Sequence, residues 1–217
     1  MITTLSPILI ETSYILNEGT TDTTAKRISF GNRAIRRVLQ VRKWSWGKKD
    51  HTLTVIEGTQ EYNLVDEISN YNPMWGVYEV YVGGEKIDPV EYSRRNDSSG
   101  NHFYIVPDTQ TIGFTMDIDG TEDIVIWYYA SWNNVSTTSE NFDLTIPEQM
   151  LDAICLLIKS YVHDAKRQRY DARNALTDYK ESIEELVLQD ASNKAHDLPQ
   201  VIPNVMEYHR ARRTYSY

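Results

Sequence analysis

One cysteine, seven prolines and ten glycines are all that the 217 residues hold of the types that mark disulfide-stapled, collagen-like or low-complexity chains. A lone Cys155 cannot close an intramolecular bridge, so stability must come from a packed core. A chain of this length buries roughly 70% of the surface its unfolded form exposes, which is enough without metal or disulfide. No apolar run approaches the ~20 residues of a membrane-spanning helix. The opening residues Met1 to Pro7 lack the basic flank of a secretory leader. The expectation is a soluble protein, cytoplasmic when made, with no membrane partner.

Catalytic signatures are also missing. The histidines at 51, 102, 163, 196 and 209 show no metal-ligand spacing with one another or with Cys155. There is no GxGxxG, Walker-type loop, GxSxG or HExxH. Cys155 falls on an apolar helical stripe beside Leu151 and Ile158, the setting of a buried inert thiol. Acidic residues from Asp117 to Asp123 do not follow the alternating ligand pattern of a calcium loop. No catalytic residue, cofactor-binding residue, cofactor or metal ligand is expected, and the chain reads as a non-enzyme.

What is present is acid, aromatics and a change of periodicity. With 31 acidic and 22 basic side chains the net charge is −9, which opposes free-standing duplex DNA binding. The charge is uneven: residues 1–50 carry +5, residues 51–150 carry −14, and residues 151–217 are balanced.

The first part reads as helical. Ser6-Pro7 opens a short helix with Ile8, Leu9, Thr12, Ile15 and Leu16 at helical spacing, ended by Asn17-Glu18-Gly19. A second helix, capped within Thr20 to Thr24, stacks Ile28, Ile35, Val38, Leu39, Arg42 and Trp46 on one stripe and ends at Gly47 to Asp50.

From His51 the period becomes two. Strands are expected over 52–56, 60–64, 77–82, 86–90, 103–106, 111–116 and 124–131, with Gly83-Gly84 as a two-residue hairpin turn. The spacing predicts a small antiparallel sandwich or barrel.

The last part is helical again. Thr145-Ile146-Pro147-Glu148 reads as a capping box before the stripe Leu151, Ile154, Cys155, Ile158, Val162 and Ala165. Tyr179, Ile183, Leu186 and Val187 form a second stripe, and Lys166-Arg167-Gln168-Arg169 between them favours a hairpin of two helices over one long helix. Beyond Asn193 periodicity fades into a tail.

The expected class is α+β: an antiparallel bundle from residues 1–49 and 145–192, an inserted antiparallel β-sandwich or barrel-like domain over 50–144, and an extended C-terminal arm over 193–217. Two features stand out. Trp44-Ser45-Trp46 places two indoles beside basic residues, where they pack the core or meet a neighbouring subunit. The tail joins Arg210, Arg212 and Arg213 to Tyr208, His209, Tyr215 and Tyr217, a composition typical of interface hot spots.

Taken in order, Arg42-Lys43-Trp44-Ser45-Trp46, the Gly58 to Leu64 stretch Gly-Thr-Gln-Glu-Tyr-Asn-Leu, the strand Ile126-Trp127-Tyr128-Tyr129 and the helix start Ile146-Pro147-Glu148 resemble the head-to-tail adaptor proteins of tailed bacteriophages. The resemblance spans most of residues 20–190. It departs where Val65 replaces a proline frequent in that family.

The resemblance implies a structural virion protein of the head-tail neck: a connector forming a homo-oligomeric ring, typically a dodecamer, beneath the portal. Such a ring extends the DNA ejection channel, lets genomic DNA pass without specific binding, and docks the tail or nozzle protein. The arm residues Tyr208, His209, Arg210, Arg212, Arg213, Tyr215 and Tyr217 are then candidates for portal binding. Arg33, Arg36, Arg37, Lys43, Trp44 and Trp46 are candidates for the subunit interface, because a closed ring needs two different patches per subunit.

Two other readings compete. One is a tail-completion or tail-terminator protein of the same virion. The other, from a different class, is a carbohydrate- or ligand-binding β-module built on Trp75, Tyr78, Tyr81, Trp127, Tyr129 and Trp132.

Overall fold

A computed structural model describes residues 1–13, 24–56, 58–96, 99–118 and 120–197. The elements in chain order are α1 (Leu5–Glu11), α2 (Thr24–Leu39), β1 (Lys48–Leu53), β2 (Glu61–Asn63), α3 (Leu64–Glu67), β3 (Val77–Val82), β4 (Glu85–Pro89), β5 (His102–Val106), β6 (Thr111–Phe114), β7 (Ile124–Tyr129), α4 (Leu151–Ala165) and α5 (Arg169–Asp197). The architecture is mixed α+β, with one curled seven-stranded sheet of order β1-β7-β3-β4-β5-β6-β2.

Hydrophobic pattern explains most of these elements. In α2, Ile28, Ala34, Ile35, Val38 and Leu39 are buried while Arg33, Arg36 and Arg37 stay exposed. In α5 the buried set Ala172, Ala175, Tyr179, Ile183, Leu186 and Asp190 steps by threes and fours, the seam with which it packs on α4. The two helices are joined at the predicted place. Arg167 takes φ +62, and Gln168 N–H donates to the His163 carbonyl at 2.8 Å, closing the end of α4. Gly83 and Gly84, at φ +57 and +84, make the two-residue turn that puts Val82 opposite Glu85.

Four expectations need correction. First, pairing is not antiparallel throughout: β4 and β5 run parallel, with Asp88 opposite His102 and Pro89 opposite Phe103. The 3-10 turn Tyr92–Arg94 and the chain that follows it carry the strand back to start in the same direction, a crossover that alternation of apolar residues does not encode. Second, α2 stops at Leu39 rather than near Trp46. Trp44 turns inward, and its Nε1–H donates to the Val38 carbonyl at 2.8 Å, satisfying an end carbonyl that a further helical turn would have bonded. The strand β1 then begins at Lys48, four residues before the expected start.

Third, no capping box forms at Thr145. Ile146 is drawn into a two-way bridge with Ile2, at 2.8 and 3.0 Å, and Glu148 bonds the Met1 amino group at 2.7 Å. Glu148 therefore opens a short 3-10 turn instead of reaching back to Thr145. Fourth, α5 continues to Asp197, so residues 193–197 are helical where an extended chain was expected. The expected end of the first helix at Asn17 to Gly19, and residues 20–23 of the cap expected within Thr20 to Thr24, lie outside the described residues, and Thr24 is the first residue of α2.

The apolar core is continuous from the helices into the sheet, running through Leu5, Ile35, Trp44, Ile126, Ile146 and Ile158. Among the described residues no helix is long and apolar enough to cross a membrane.

Candidate recognition face on the second helix

The Trp44 segment shows how the helices are fastened to each other and to the sheet. Trp44 is 1% exposed and stacks on Trp46 with ring centroids 6.1 Å apart. Next to it, Asp190 of α5 is 3% exposed and accepts from the Ser45 hydroxyl and, at 3.2 Å, from the Ser45 N–H. Arg42 Nη2 lies 3.3 Å from the same carboxylate, while Nη1 donates to the Val187 carbonyl at 2.7 Å. Trp44 is thus interior, which removes it from the candidate subunit-interface set. Its neighbours Arg42 and Ser45 hold the end of the long helix.

Lys43 also serves the junction. Its ammonium sits 5.4 Å from the Tyr129 ring and 5.8 Å from the Trp75 ring, on the sheet side.

A second junction rests on Asn32, 7% exposed, which sequence reasoning did not single out. Its Oδ1 accepts from Trp132 Nε1 at 2.9 Å and from Val135 N–H at 3.1 Å, and its Nδ2 donates to the Val135 carbonyl at 2.9 Å. The only sequence signal was a polar residue on the buried side of an amphipathic helix.

Arg33, Arg36 and Arg37 are brought together on the outward face of α2. The Arg33 guanidinium stacks 4.2 Å over the Tyr161 ring, and Arg36 donates to Asn134 Oδ1 at 2.6 Å. None of the three forms an ion pair with a carboxylate among the described residues. They line a hollow of about 380 Å³ whose floor is Leu157, Tyr161 and Leu176. Close to Arg37, Tyr179 is buried with no hydrogen-bond partner for its hydroxyl among the described residues, and burial pushes its pKa up.

No group of three or more potential ligands that could hold a metal ion occurs among the described residues. Cys155 is half-buried, and burial raises its thiol to about 12, so it is a poor nucleophile. Of the aromatics offered for a ligand-binding module, Tyr129 and Trp132 are 6% and 7% exposed and belong to the interior. The arm candidates from Tyr208 to Tyr217 lie outside the described residues.

Exposed arginines beside apolar and aromatic side chains match the composition enriched in protein interfaces. The chain belongs to the SU10 adaptor protein family, whose model matches residues 3–202. That membership makes it a phage adaptor, a structural component of the virion that associates with portal and tail. No curated protein matches the chain.

Proposed function

We propose that the protein assembles as a ring beneath the portal, most simply of twelve copies, extends the channel through which DNA leaves, and offers the tail or nozzle its docking surface. Family membership across residues 3–202 carries this reading. The bundle of residues 1–49 and 145–192 would form the ring wall, and residues 50–144 would project from it as an inserted β-unit. In support, α4 packs against both α2 and α5, and the strands lie between Lys48 and Tyr129.

The acidic balance of residues 51–150 suits a part that DNA passes, because carboxylates repel phosphates and leave the duplex free to move. The arm, with Arg210, Arg212, Arg213, Tyr208, His209, Tyr215 and Tyr217, would reach the portal. Arg33, Arg36, Arg37, Lys43 and the half-buried Trp46 remain the proposed set for subunit contact.

Capture on immobilised portal protein tests the arm. Full-length chain should be retained, and a chain ending at Asn193 should lose most of that retention. Equal retention of both would remove the arm from the account.

A further inference from the structure

The helical layer holds a second hollow, of about 670 Å³, lined by Glu11, Leu151, Asp152, Cys155, Leu156 and Lys159. Asp152, Cys155 and Lys159 follow one side of α4, whereas Leu157 and Tyr161, which floor the arginine hollow, project about half a turn away. The two hollows therefore open on opposite sides of the same helix. They also differ in sign: one presents three arginines and no carboxylate, the other two carboxylates and one lysine. Both have apolar walls, Leu157, Tyr161 and Leu176 in the first, Leu151, Cys155 and Leu156 in the second.

We propose that these hollows are the two halves of one heterologous contact, the Arg33–Arg36–Arg37 face of one copy docking on the Glu11–Asp152 face of the next. The inference rests on the ring reading and names the surfaces that would build it. Three observations choose a second copy of this chain as the occupant. The arginines form no ion pair with a carboxylate among the described residues of a chain whose net charge is −9, so each copy carries surplus carboxylate that could answer its neighbour's arginines. The apolar floor makes little contact with a DNA backbone, which is bound through charge and hydrogen bonds to phosphate, but suits side chains of a protein neighbour. Placement on opposite sides of one helix is what head-to-tail association requires, since each copy must offer two different faces and pass the contact on until the ring closes.

The test is a charge exchange in the full-length protein, read by analytical ultracentrifugation with portal present and absent, with thermal melting as the control for folding. R36E/R37E should weaken self-association about 100-fold, because it sets like charges against each other. E11R/D152R should do the same. Combining all four, or mixing the two double variants, should restore association, which a folding defect would not do.

Rings that form equally well in either double variant, or a combination that stays as weak as its parents, would overturn the pairing and leave the ring reading standing. If the unaltered chain forms no oligomer even with portal, the ring reading fails and this inference with it. A further outcome, loss of duplex DNA binding in R36E/R37E with unchanged self-association, would assign the arginines to DNA and also overturn the proposal.

Discussion

The β3–β4 hairpin and the outer face of α2 both carry exposed charge, and they treat it in opposite ways. In the hairpin, Lys86 meets Glu79 at 2.6 Å, and the Tyr81 hydroxyl donates to the same carboxylate at 3.0 Å. The bond from Lys86 holds the Glu79 carboxyl below its usual range. On α2, Arg33, Arg36 and Arg37 face outward with an aromatic ring and an amide for company and no carboxylate among the described residues. Charge that is answered within the chain serves the fold, and charge left unanswered over an apolar floor is available to a partner.

The contrast can be broken from its strongest side first. Asp190→Ala removes the carboxylate that Ser45 and Arg42 share and leaves a half-buried guanidinium facing an apolar junction. It should cost about 3 kcal/mol, measured by urea unfolding. Asn32→Ala leaves the Trp132 and Val135 donors and the Val135 carbonyl unbonded in the interior, and should cost about 2 kcal/mol in the same measurement.

Glu79→Gln should cost less than about 1 kcal/mol at neutral pH, since its partner Lys86 is half exposed. Its signature is pH dependence. The folded carboxyl titrates below its unfolded counterpart, so its contribution is full above the ordinary carboxylate range and is lost as pH falls through the folded pKa. Thermal melting of Glu79→Gln should accordingly lose less stability on acidification than the unaltered protein. Smallest of all, Arg37→Ala should change folding stability by less than about 0.5 kcal/mol, because no ion pair among the described residues is lost. A larger loss would show that this arginine serves the fold after all, and the comparison would fail.

Much of this organisation was legible in the sequence. The change from helix to strand before residue 52, whose exact position the sequence misplaced, the Gly83-Gly84 turn and the hairpin at Lys166 to Arg169 are local features, and local chemistry decides them. The inner register was not legible, because Ile2 with Ile146 and Asn32 with Val135 are contacts between residues more than a hundred apart. Nor was the parallel β4–β5 pair, which depends on the path of the intervening chain.

The arginine face was half legible. Amphipathicity placed Arg33, Arg36 and Arg37 on the outside, whereas for Trp44 the sequence left core packing and subunit contact both open, and Trp44 is in the core. The inward turn at Trp44 comes from a hydrogen bond to Val38 that spacing does not announce. The opposing Glu11–Asp152 face escaped sequence reasoning because α1 and α4 are separated by most of the chain and share no motif.

Electron microscopy of the full-length protein mixed with portal addresses the central claim most directly. A closed ring of adaptor subunits seated on the portal, with rotational symmetry visible in class averages, is the predicted result. Portal particles bearing no such ring, or adaptor bound only as single scattered copies, would contradict it.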